Sequence, residues 1–138
     1  MAEKLGDTYC ISWSLLRLAK LVRSEGQAAA AADLFRQGLG VAGRHGDRVA
    51  TAECLEGVAA TLGRSPTDLE EAVRLLGTAH AVREAAGAPI PPAETRRYEQ
   101  DVADVREGLD DDAFARSWEE GRLAAVEDVV RRHAWPSH

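Results

Sequence analysis

His80 and Glu84 stand one helical turn apart in the run "GTAHAVREAAG". At i, i+4 spacing a carboxylate can orient and charge an imidazole, the pairing that general acid–base chemistry uses. Together with Tyr98 they form the candidate catalytic set, although a surface histidine explains the same spacing without any reaction. His45, His133 and His138 add no H-x-x-x-H or H-E-x-x-H pattern, so no zinc site is expected. "GLGVAG", Gly38 to Gly43, matches the G-x-G-x-x-G dinucleotide fingerprint in letters. It falls inside a helical pattern, where the amides that would hold a pyrophosphate are already bonded to preceding carbonyls. Asp101, Asp104, Asp110, Asp111, Asp112, Glu119 and Glu120 lack the glycine and terminal Glu of a calcium loop and read as helix caps and surface carboxylates. Ser12, Ser14 and Thr51 have no strand-turn-helix setting for a nucleophile. Cys10 and Cys54 are isolated thiols on apolar helix faces, with no C-x-x-C pair, and read as packing residues. No cofactor and no metal are expected.

Whatever chemistry or binding exists must be positioned by helices. Of 138 residues, 45% are hydrophobic, 29% charged and only 5% aromatic, with Ala, Leu, Glu and Arg dominant. Unbranched side chains of this kind lose little rotamer freedom in a helix, and the apolar share excludes a disordered chain. A net charge of −6 repels phosphate, which argues against direct nucleic-acid binding. No apolar run approaches the roughly 20 residues needed to span a bilayer, and the start "MAEKLGDTYC" lacks a signal-peptide core. A cytoplasmic location is the expectation.

The chain repeats itself. "GDTYCISWSLLRLAKL" from Gly6 matches "GDRVATAECLEGVAATL" from Gly46, forty residues on. In that register Leu15 lies over Leu55, Leu18 over Val58, Ala19 over Ala59 and Val22 over Leu62. With one residue inserted, "AADLFRQGLGVAGRHG" matches "AVRLLGTAHAVREAAG". Two helical hairpins follow, the first over about 6–45 and the second over about 46–87. The first helix is expected from Asp7 to Ser24, capped by Asp7 or Thr8, with Ile11, Leu15, Leu18, Ala19 and Val22 as its inward stripe. The second covers Gln27 to Arg44 and the third Asp47 to Leu62. The fourth opens at "SPTDLE", capped by Ser65 or by Thr67 in a capping box with Glu70, and closes at Gly87.

Pro89, Pro91 and Pro92 then divide the chain, because proline ends one helix and suits the first turn of the next. Beyond them Tyr98, Val102, Val105 and Leu109 form a fifth helical stripe, and "DDDAFARSWEEG" and "LAAVEDVVRRHA" a sixth and seventh. This third, proline-initiated hairpin with its C-terminal cap, about 91–134, completes a single domain over 1–138, and the tail "WPSH" is expected to fray. The expected fold is all-α: a right-handed, tetratricopeptide-like array of α-α hairpins with about seven helices.

The succession "ECLEGVAATLG", "AVRLLGTAHAVREAAGAPIPPAE", "AFARSWEEGR" and "LAAVEDVV" resembles the C-terminal tetratricopeptide-like helical region of actinobacterial ATPase-containing transcription factors of the LuxR-type and antibiotic-regulator classes. The resemblance covers nearly the whole chain and is strongest from about Ala52 to Val130. It implies a regulatory helical array that binds partners or effectors and restrains an upstream ATPase. This sequence carries neither an ATPase nor a helix-turn-helix segment, and "LDDDAF" replaces the family's usual Leu-Gly turn. With Met1 so near the first repeat, the chain reads as either a fragment or a free-standing relative.

The function expected is non-catalytic, with a protein partner or small effector bound in the concave groove that the first helix of each pair lines. Trp13, Arg17, Lys20, Glu53 and Glu56 are the residues expected there. Trp13 sits on the outward face of the first hairpin, and an apolar end of that kind favours a homodimer through this hairpin. The alternative is a small enzyme or small-molecule-binding protein of a biosynthetic pathway, with its pocket near His80, Glu84 and Tyr98.

Overall fold

A computed structural model describes residues 2–134, with side chains from residue 11 onward. These residues form seven helices and no strand: α1 (Ala2–Ser24), α2 (Ala28–Arg44), α3 (Arg48–Thr61), α4 (Pro66–Ala86), α5 (Pro92–Glu107), α6 (Asp111–Leu123) and α7 (Val126–His133). The side chains of Asp7, Thr8 and Cys10 and the tail from Trp135 lie outside the described residues. Helix α1 nonetheless starts earlier than the cap expected at Asp7 or Thr8.

Three glycines set the turns. Gly26, Gly46 and Gly87 have φ of 84°, 68° and 64°, a left-handed backbone that costs a residue with a Cβ roughly 1–2 kcal/mol. Each sits just past a helix, and the next amide reaches back five residues: Gln27 to Val22, Asp47 to Ala42 and Ala88 to Arg83. This double-bonded ending satisfies carbonyls that a helix terminus would otherwise leave unpaired. The starts are equally local. Asp47 accepts from the Ala50 amide at 3.0 Å, Ser65 from Asp68 at 3.2 Å and Asp110 from Ala113 at 2.7 Å. Ser65, not Thr67, therefore caps α4, with Pro66 in its first turn. Pro91 stands before α5 and Pro92 opens it.

Helices α1 to α4 pack in sequence order, each against the next, and α1 also meets α3. Leu16, Leu39, Leu55, Val58, Val73, Leu75 and Leu76 fill the centre, with Cys54 wholly buried among them. The third pair departs from that pattern. It is α6, not α5, that lies along α4. A Cβ on Gly121 would overlap the Arg74 carbonyl, and one on Gly77 would overlap the Trp118 carbonyl. Two bare helix faces thus meet, and Thr78 Oγ1 donates across the seam to the Gly121 carbonyl at 2.7 Å.

Helix α7 rests on α2 and α4. Val129 is buried beneath it, and Glu71 meets His133 Nε2 at 2.5 Å. Helix α5 stands apart from its neighbours and reaches them through side chains. It runs antiparallel to α4, with its entry beside Arg83 and its end beside Leu69.

The buried face of α1 differs from the expected stripe. Ser12, Leu16 and Ala19 point inward, whereas Ile11, Leu18 and Leu21 are about half exposed. Leu18 and Val58 occupy the same place in the repeat, yet Leu18 is 47% exposed and Val58 0%. The cause is position: α3 packs between α2 and α4, whereas α1 packs chiefly against α2.

Candidate functional site: a polar trough between three helices

Helices α1, α3 and α5 enclose a trough of about 220 Å³ whose floor is Gly57 and Phe35. Gly57 is required there, because a Cβ would overlap the Phe35 ring beneath it. The walls are charged. Lys20 Nζ from α1 lies 2.8 Å from Glu53 Oε2 on α3 and 2.5 Å from Glu94 Oε1 on α5. One turn further, Arg23 grips both oxygens of Asp101, at 2.5 and 3.0 Å.

At the inner end Arg83, only 6% exposed, makes a fork to Glu56 with Nε at 2.7 Å and Nη2 at 2.9 Å. Its Nη1 donates to the Ala88 carbonyl at 3.1 Å, which fastens the proline corner to α4. Glu53 Oε1 lies 3.9 Å from the same guanidinium, so four helices contribute to one chain of alternating charge. Such a fork matches a carboxylate in both spacing and plane.

Burial and pairing compete at each group. Burial alone would lower the Lys20 pKa, but hydrogen bonds to Glu53 and Glu94 outweigh it and raise it. Burial raises the Glu56 carboxyl, and the Arg83 bonds only partly reverse that. Burial, assisted by Glu56, pushes the Tyr98 hydroxyl up to about 12.

Of the five expected groove residues, the trough gathers Lys20, Glu53 and Glu56. Trp13 instead turns half-buried against the core, and Arg17 projects into solvent away from the trough. Sequence reasoning missed Arg23, Arg83, Glu94 and Asp101. Arg83 carried a signal, as a charged residue on the apolar stripe of α4, whereas Glu94 and Asp101 became visible only once α5 was placed.

A neighbouring hollow of about 460 Å³ is lined by His80, Glu84 and Tyr98 together with Pro89, Ile90 and Thr95. His80 Nε2 and Glu84 Oε2 are 3.6 Å apart, beyond hydrogen-bond length, with His80 about half exposed and Glu84 exposed. The imidazole tilts against Trp118, with ring centres 5.4 Å apart. The acidic set is dispersed in the fold: Asp101 pairs with Arg23, Asp110 caps α6, and Glu119 pairs with Arg122.

No protein-family model, curated protein or solved structure matches the chain. Among the described residues, no helix is long and apolar enough to cross a membrane.

Proposed function

We propose that this chain is a non-catalytic, tetratricopeptide-like scaffold whose right-handed array of hairpins binds a protein partner or small effector in the trough between α1, α3 and α5. The observation that supports this reading is the alternating charge chain Lys20–Glu53–Arg83–Glu56, which joins residues remote in sequence. Removing charges from water costs more than an equivalent apolar packing would, so such a network is costly as a device for stability alone. It does give a ligand of mixed charge a specific outline. On this reading the protein acts in the cytoplasm in a regulatory role, related to the C-terminal region of ATPase-type transcription regulators. The decisive experiment is capture from the native cell by the wild-type chain, by Glu53→Gln and by the surface control Glu107→Gln. A ligand of the trough is retained by wild type and control and lost with Glu53→Gln. Equal retention by all three overturns the assignment.

A second reading has its own observation: the hollow that brings His80, Glu84 and Tyr98 to one place. It would serve a small enzyme or small-molecule binder. Turnover or binding that survives His80→Gln eliminates it.

A further inference from the structure

Helix α2 contains Gly38, Gly40 and Gly43, each about 1 kcal/mol less favourable than Ala in a helix interior. Packing explains two of them. A Cβ on Gly38 would stand 3.1 Å from Cys54 Sγ, and one on Gly43 would stand 2.7 Å from Val130 Cγ1. Gly40 and Gly43 also do something else: with Gly46 they leave bare backbone along one wall of a hollow of about 520 Å³. That volume falls in the range of about 300–1,000 Å³ typical of small-molecule sites. Val82, Val126, Val130 and Ala134 supply an aliphatic lining opposite. The trough described above shares no residue with it.

The rim of this hollow is cationic. Arg44, Arg48 and Arg131 surround it, and Glu127 is the one carboxylate in its lining. This local excess of positive charge stands on a chain whose net charge is −6. Arg48 makes no ion pair among the described residues, and Arg131 holds only the exposed Asp128, at 3.2 Å. An aliphatic floor under a guanidinium rim is complementary to one kind of molecule: an aliphatic body ending in an anionic head.

We infer that the hollow between α2, α3, α4 and α7 is a binding site for an amphipathic carboxylate of the medium-chain fatty-acid class. The bare backbone at Gly40 and Gly46 borders the aliphatic chain, and Arg48 and Arg131 receive the carboxylate. The α7 wall is held by the buried Val129 and by the pair of His133 with Glu71.

The test is titration of the full chain with decanoate, read by calorimetry and by amide chemical shifts, with butyrate and decyltrimethylammonium as comparisons. Saturable decanoate binding is expected, with shifts at Gly43, Gly46, Val126 and Val130, and neither comparison should bind at the same concentration. Arg48→Glu should weaken decanoate by about tenfold or more, the loss of a charge-assisted hydrogen bond. That variant places an acidic residue in the first turn of α3, where the helix dipole favours it, so lost binding is not lost folding. The inference fails if decanoate does not bind, if decyltrimethylammonium binds as well, if Arg48→Glu is without effect, or if the shifts fall on α1.

Discussion

Arg83 is the side chain on which the trough most depends, since it meets two carboxylates and the carbonyls after Gly87. Arg83→Met keeps the aliphatic bulk but strands Glu56, and breaking a buried pair this way costs about 3–5 kcal/mol. The loss should depend on pH. Without the guanidinium the Glu56 carboxyl rises further, and a carboxyl that binds its proton more tightly when folded favours the native state in acid. Urea midpoints of the variant should therefore lie nearer the wild type at pH 4 than at pH 7. Glu71 has the opposite sign. Burial raises its carboxyl, but hydrogen bonds from His133 and Arg74 outweigh this and hold it below its ordinary value. Its contribution is thus complete above the unfolded value of about 4.3 and is lost as pH falls through the folded one. Glu71→Gln should flatten the acid limb of stability measured between pH 5 and pH 3.

At the scale of elements, the α4–α6 seam is where two glycines decide the geometry. Gly121→Ala forces a methyl into the Arg74 carbonyl, and overpacking of this kind typically costs about 1–3 kcal/mol. Thermal melts should fall, and Trp118, stacked on Phe114 at 6.1 Å, should shift its emission to the red as α6 lifts. A variant as stable as wild type would mean the helices do not approach so closely. Local rules made the helices legible: the apolar periodicity, the glycine stops, Ser65 as a cap, and the proline corner all act within a few residues. What they could not supply was the neighbour of each helix. Gly77 and Gly121 each permit close approach without naming a partner, so the seat of α6 beside α4 was hidden. The trough was half legible for the same reason. Lys20, Glu53 and Glu56 followed from the expectation that the first helix of each pair lines a groove, whereas Arg23–Asp101 and Lys20–Glu94 join segments more than seventy residues apart. The inward face of α1 misled because a small polar residue, Ser12, occupies the buried side while Ile11, Leu18 and Leu21 look out.

For the molecule as a whole, that outward stripe is the feature bearing on self-association. Ile11, Leu18 and Leu21 follow the spacing of a helix seam, and they rather than Trp13 are the residues a partner copy would meet. If the first hairpin mediates a homodimer, Leu18→Glu should return the protein to monomer in light scattering across a concentration series, without lowering its melting temperature. Surface substitutions away from special features usually change stability by no more than about 0.5 kcal/mol, so the two readouts separate association from folding.

Cys54 lies at the hub of this arrangement, 0% exposed, with burial raising its thiol far above the range where thiolate forms. Alkylating reagents attack the thiolate, so the sulfur can react only during moments when α2, α3 and α4 part. Its labelling rate is then a clock for the breathing of the innermost layer. Any ligand that tightens the array, wherever it binds, should slow that clock.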